Sequence, residues 1–309
     1  MTKLEKLVLV TVLILIALIP ASGSRFYVFL VTDILIFAIF ALSLNLMLGY
    51  TGLVSFGHAA YFGIGVYTCA LLIKKAGLDF LITLFAAGVF GAASAFVIGL
   101  FCVRLTKIYF AMLTLAFSQI VWAIAFKWNT LTGGDNGIIG IDFPPYLDSK
   151  VKFFYFVLFI FALAVIVLRK IVNSPFGRIL VTIRENPERT EFIGINVKLF
   201  QLLAFVISGF FAAIAGGMFC MFNHSAFPDY LYWPISAEVL IMTLLGGKYN
   251  FFGPVIGAAS LLYLRMLSTS YTEYWSLILG IILCLLLFFF PHGIAGFVQD
   301  RFYRWKTTK

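Results

Sequence analysis

Apolar residues along this chain come in long unbroken runs, without the alternation of a half-buried strand or the three-to-four spacing of a surface helix. Ten runs are separated by short polar or glycine-rich breaks: Leu7 to Ile19, Phe26 to Leu48, Phe56 to Ile73, Phe80 to Val103, Ile108 to Phe126, Phe153 to Leu168, Leu199 to Phe222, Ile235 to Leu245, Phe251 to Leu267 and Ser276 to Phe290. Roughly 20 helical residues cross a hydrocarbon core of about 30 Å, and a helix satisfies its own backbone hydrogen bonds there. The expected fold is all-α: one polytopic membrane domain over residues 1–309, with about ten transmembrane helices. The first run also fits a secretory signal, because Lys3 and Lys6 precede it and Ala21-Ser22-Gly23 offers small residues for cleavage. A retained helix is the reading adopted, since the second run follows almost at once.

Composition agrees with this class. A chain that is 62% hydrophobic and 11% charged has too little polar side chain to clothe a soluble globule of 309 residues. Cys69, Cys102, Cys220 and Cys284 are scattered inside apolar runs without metal-ligand spacing and read as small buried hydrophobes. The formal charge of +9 is unevenly placed. With both termini inside, the inner segments hold Lys3, Lys6, Arg104, Lys107, Arg169, Lys170, Arg178, Arg184, Arg189, Lys198, Lys248 and the cations after residue 300; the outer ones hold Arg25, Lys74, Lys75, Lys127, Lys150 and Lys152. This asymmetry and contact with anionic lipid explain the charge without nucleic acid. Lys74-Lys75 sits on the side read as external, and a re-entrant third run would move it.

Ionisable residues within the runs are few. Asp33, Glu238 and His58 are the ones considered, and no chain of them forms an ion relay. Glu238 follows Trp233-Pro234 and fits either a first-turn carboxylate at a helix N-terminus or a residue lining a substrate path. Asp33 and His58 read first as polar side chains hydrogen-bonded between helices, with a place on the substrate path as the alternative. Energy for active transport is thus expected from another subunit.

Glycine marks where helices break or meet. The run from Gly49 through Gly52, Ser55, Gly57 and His58 to Gly65 is too glycine-rich for an ordinary helix interior, and fits either close helix packing or a pathway. Gly57→Leu is accordingly expected to cost transport more than expression. A second cluster, from Gly246 and Gly247 through Gly253 to Gly257, has a related shape that echoes a duplication weakly. In the longest outer loop, Thr132 precedes Gly133, Gly134, Asp135, Asn136 and Gly137, a turn suited to docking or to reversing the chain. No Gly-Lys-Ser/Thr follows, so it is not a phosphate loop, and no nucleotide site is visible elsewhere. The inner loop 169–198 carries Arg184, Glu185, Asn186, Glu188, Glu191 and Gly194. Asn186-Pro187-Glu188 there reads as an N-cap, a proline in the first turn and an early carboxylate, giving a short helix that ends near Gly194.

Five blocks occur in one order: LNLMLGYTGLVSFGHAAYFGIG (residues 44–65), TGGDNGIIG (132–140), RENPERTEFIGIN with LLAF (184–205), SAEVLIMTLLGGKYNFFGPVIG (236–257) and FFPHG (289–293). In these the sequence resembles the LivM-type permeases of bacterial branched-chain amino-acid ABC importers over nearly its whole length. The resemblance implies a fold like the vitamin B12 and ribose importers, with 184–194 as the coupling helix that enters a groove of an ATPase. It also implies partners: a related second permease, two cytosolic ATPase subunits and a periplasmic or lipid-anchored solute-binding protein. The chain itself is then not an enzyme and needs no cofactor. It would sit in the bacterial inner membrane with both termini cytosolic, carrying leucine, isoleucine and valine, with urea, short amides or simple sugars as alternatives within the family. An ATP-independent channel remains the reading from a different class.

Overall fold

The computed structural model describes residue 11, residues 13–105 and 107–271, positions 277, 280, 281 and 284, and residues 293–296. Residues 7–10 and 12 of the first run, most of the tenth and the residues 289–292 of the last matching block lie outside these. The remaining runs form helices, with two short antiparallel strands as the exception.

Helix α1 spans Arg25–Asn45 and continues into a π-turn, Leu46–Thr51, that ends where Gly52 adopts φ 74°. α2 is His58–Ala76, α3 Phe80–Cys102, α4 Lys107–Lys127 and α5 Lys150–Asn173. Two short helices follow, α6 Pro175–Glu185 and α7 Pro187–Phe192. Then come α8 Val197–Asn223, α9 Trp233–Gly246 and α10 Gly253–Tyr271. Among the described residues, α1 with its π-turn, α3, α4, α5 and α8 are long and apolar enough to cross a membrane, and α9 is a shorter apolar helix.

α8 is the central post. Its small residues, Gly209, Ala212, Ala213, Gly216 and Gly217, are placed along the faces that meet α2 and α3. A Cβ at Gly216 would overlap the Phe62 carbonyl of α2, and one at Gly91 of α3 would overlap Ala213. Such contacts replace the hydrophobic driving force, which lipid does not supply between helices. Large apolar side chains on α3, α4 and α5, including Phe85, Ile108, Met112 and Phe159, point outward, as a lipid-facing belt requires. 

Two segments depart from simple spans. Residues 52–57 carry no regular structure, yet Leu53 and Ser55 are buried. His58, the first residue of α2, lies level with Phe40 and Ser43 of α1. Ser43 is eight residues from the end of the π-turn, so α2 begins roughly 12 Å inside that end of the bundle. This is non-helical backbone at membrane depth, tolerated because protein surrounds it. The run Phe56 to Ile73 is therefore a helix that starts inside the bundle. Its first turn is closed by a distant side chain, for Ala59 N–H donates to Ser236 Oγ of α9 at 2.7 Å.

α9 has 14 residues, about 21 Å of helix, short of a full crossing. The chain reaches it through residues 224–232, which dip between helices. Leu231 packs against Gly63 of α2, and Ser118 of α4 donates to the Leu231 carbonyl at 3.2 Å. At the rim this segment pairs with the loop after α4, as strand β1 (Ile138–Ile139) meets β2 (Ser225–Ala226) antiparallel, Ile138 opposite Ala226.

Candidate translocation cavity and coupling arm

α6 is capped by Ser174, whose Oγ accepts from Gly177 N at 3.4 Å, with Pro175 at its first positions. It is amphipathic: Leu180 and Ile183 are buried while Thr182 and Glu185 are exposed. At Asn186 the helix axis breaks. Asn186 Oδ1 accepts from Arg189 N at 2.9 Å, so this residue is the N-cap of α7, Pro187 follows it, and Glu188 lies in the first turn. Thr190 is buried and its hydroxyl donates back to the Asn186 carbonyl at 2.9 Å. Glu188, Arg189, Glu191 and Gly194 face solvent. Sequence reasoning missed two more residues there, Phe192 at 89% exposure and Ile193 at 73%. Their signal was present, since two adjacent large apolar residues in a charged connector have no core to fill. Gly194 then turns the chain at φ 86°.

Arg184 belongs with the bundle rather than with the exposed face. Its Nη1 donates to the Gly49 carbonyl at 2.5 Å, and its guanidinium lies 5.1 Å from the centre of the Tyr249 ring. Gly49 is inside the π-turn of α1, where the carbonyl of Lys248 leaves no room for a Cβ. Gly246 and Gly253 approach each other backbone to backbone where α9 turns into α10, with Gly247 between them at φ 107°. Arg169, near the end of α5, stacks over Phe251 and Phe252 of the same turn, 4.9 and 5.4 Å from the ring centres. The two glycine clusters thus meet at one end of the bundle, and α6 is fastened to both. Beside this junction, Asn45 Oδ1 and Nδ2 and Ser55 Oγ are buried without a hydrogen-bond partner.

His58 sits deeper and is fully buried. Its Nε2 lies 2.9 Å from Ser43 Oγ and 3.5 Å from Ser208 Oγ. Both hydroxyls point at carbonyl oxygens, Ser43 at Phe40 and Ser208 at Ser43, which makes Nε2 the donor. With Phe40 stacked on the ring at 5.3 Å, His58 ties α1, α2 and α8 together. Gly57 is equally internal: a Cβ there would overlap the Thr114 carbonyl of α4.

Toward the other end of the bundle, a cavity of about 440 Å³ opens between α1, α8, α9 and α10. Asp33 and Glu238 both line it. Glu238 lies beyond the first turn of α9, so it is not the capping carboxylate that the sequence allowed. Its Oε1 instead accepts from Arg265 Nη1 at 3.0 Å. Arg265, near the end of the ninth run, was overlooked as an intramembrane charge, although an arginine flanked by Leu264 and Met266 is itself the signal. Phe29, Phe37, Phe62, Phe219 and Phe222 supply the apolar walls.

At the rim of that same end, residues 128–149 form the loop holding Gly133, Gly134, Asp135, Asn136 and Gly137. Thr132 organises it, its hydroxyl donating to Ala125 at 2.6 Å and its oxygen taking Gly134 N at 3.3 Å. Three glycines with positive φ then reverse the chain and leave Asp135 and Asn136 exposed. Lys74 and Lys75 are at this end, closing α2. Lys75 Nζ donates to the carbonyls of Thr130 and Leu131, both at 3.1 Å, and Lys74 Nζ to that of Ile139. Tyr146 donates to Asp79, the N-cap of α3, at 2.9 Å. Burial and then that carboxylate push the phenol up to about 12, so it stays a donor at neutral pH.

Known proteins place these features in a family. The model of the branched-chain amino acid transport system permease component matches residues 26–287. The chain is 31% identical over 329 aligned positions to the high-affinity branched-chain amino acid transport system permease protein LivM of Escherichia coli K12, covering 97% of this chain and 77% of that protein. It is 26% identical over 283 positions to LivH of Salmonella typhimurium, covering 84% and 91%. A shorter match, 32% over 130 positions, joins it to the ribose import permease RbsC of Haemophilus influenzae, covering 40% and 36%. No solved structure matches. The chain, a helical multi-pass membrane protein, belongs to the branched-chain amino acid transport permease family.

Proposed function

We propose that this chain is one transmembrane half of an ATP-driven importer that moves leucine, isoleucine and valine into the cytoplasm, pairing with a related permease, two cytosolic ATPase subunits and a solute-binding protein. The observation that carries the reading is α7. A six-residue helix, rigidly capped by Asn186, presents Phe192 and Ile193 to solvent with Glu188, Arg189 and Glu191 around them. An apolar tip in a charged collar suits a groove on a soluble partner, where the aromatic residue anchors and the charges set register.

In this reading the α6–α7 end is cytosolic. Arg184 joins the arm to the π-turn of α1 and to the α9–α10 turn, so force applied at α7 reaches both helices that carry the acidic cavity residues. The unpaired Asn45 and Ser55 beside the π-turn lie where a second arrangement could satisfy them, in keeping with alternating access between two packed states. The binding protein docks at the opposite rim, on the β1–β2 loop pair and exposed Asp135 and Asn136. Lys74 and Lys75 are external cations in this topology, held by loop carbonyls.

The test is uptake of labelled leucine in cells that express the chain with its co-encoded partners. Uptake is expected to disappear when the ATPases are made unable to hydrolyse ATP. Downhill uptake that persists without them would instead favour a stand-alone channel.

A further inference from the structure

The cavity between α1, α8, α9 and α10 holds more charge than a packed membrane helix bundle needs. Glu238 and Arg265 neutralise each other at 3.0 Å. Asp33 is a second carboxylate on the same wall, and its Oδ1 is buried without a hydrogen-bond partner. Asp33 stands eight residues into α1, roughly 12 Å from its end, where a carboxylate is costly and is kept for use. Neither water-filled packing nor the ion pair itself explains a third ionisable group facing 440 Å³ of space walled by phenylalanine.

We propose that this cavity is a recognition station for the zwitterionic backbone of an α-amino acid, a claim that rests on the transport reading above and names how its substrate is held. The α-ammonium meets Asp33, whose Oδ1 has no hydrogen-bond partner within the chain. The α-carboxylate meets Arg265, the cation of this wall, which Glu238 Oε1 holds in place. The aliphatic side chain lies among Phe37, Phe62, Phe219 and Phe222. The volume is within the ~300–1,000 Å³ of small-molecule sites. Urea or a neutral sugar offers no ion to either charge, so the arrangement favours amino acids over those cargoes.

The test uses the full importer complex in nanodiscs without ATP, carrying Met266→Cys on the cavity wall and Cys284→Ser, which removes the exposed native thiol. Leucine at saturating concentration is expected to slow maleimide labelling at position 266 several-fold. The one-charge analogues 4-methylpentanoate and 3-methylbutylamine should not. Asp33→Asn should abolish the protection and lower leucine uptake about tenfold, the order of one charge-assisted hydrogen bond. Should Asp33→Asn fail to assemble, the comparison of leucine with its analogues still decides, because it needs no change in the charged cluster. Uptake by the unsubstituted complex without any leucine protection overturns the site and leaves the transport reading standing. Protection without ATP-driven uptake does the reverse. Equal protection by either analogue overturns the zwitterion assignment.

Discussion

Gly57 shows what the surroundings of a single residue add to a reading that the sequence left open. Its glycine run fits either close helix packing or a pathway, and the pathway reading expects Gly57→Leu to cost transport more than expression. The position meets the backbone of Thr114 in α4, and backbone cannot move aside as a side-chain tip can. The substitution is therefore expected to reduce folded protein, by ~1–3 kcal/mol for overpacking, and detergent-extracted yield after size exclusion measures it. Normal yield with lost transport would return Gly57 to the pathway. His58 is of the same kind, since it bridges Ser43 and Ser208. Ser208→Ala should cost only ~0.6 kcal/mol, near the mean for membrane hydrogen bonds, and shift the thermal unfolding of the purified complex slightly. A large loss there would mean that the His58 network does more than pack helices.

At the scale of elements, the long apolar runs became helices because nothing else buries backbone in lipid, and α1, α3, α4, α5 and α8 were legible for that reason. The α7 cap was legible too, since Asn-Pro-Glu writes a helix start in three residues. What composition could not reveal is depth. α2 begins inside the bundle where Ser236, 177 positions from Ala59, accepts the Ala59 N–H of its first turn, and no local pattern contains that. Arg265 was legible as an arginine in an apolar run, but its pairing with Glu238 on another helix was not. The cap yields a prediction: Asn186→Ala should cost α7 about 1 kcal/mol and lower uptake, while Asn186→Asp keeps the cap and the activity. Rates of binding-protein-stimulated ATP hydrolysis read this directly. Equal loss in both variants would show that the asparagine serves a contact other than the cap. Arg184→Lys tests the arm's fastening, for a lysine keeps charge but loses the guanidinium fork and much of its stacking on Tyr249. Expression should hold while hydrolysis no longer drives uptake.

At the scale of the whole molecule, one end of the bundle gathers both glycine turns and the charged arm, and the other gathers the cavity and the paired outer loops. In the proposed orientation the arm end is cytosolic and the loop end external. A cysteine at Asn186 should resist an impermeant thiol reagent in intact cells, and one at Asn136, exposed on the outer loop, should react. Reaction at 186 from outside would invert the orientation. The central claim is that α7 couples an ATPase to this bundle, and it is tested most directly with Phe192→Asp in the complete importer reconstituted in liposomes. Phe192 touches no core, so assembly with the second permease should be unchanged. Leucine-stimulated ATP hydrolysis and uptake should both fall to background, because a charge replaces the anchor that enters the partner. Wild-type coupling in that variant would contradict the account and reduce α7 to a solvated connector.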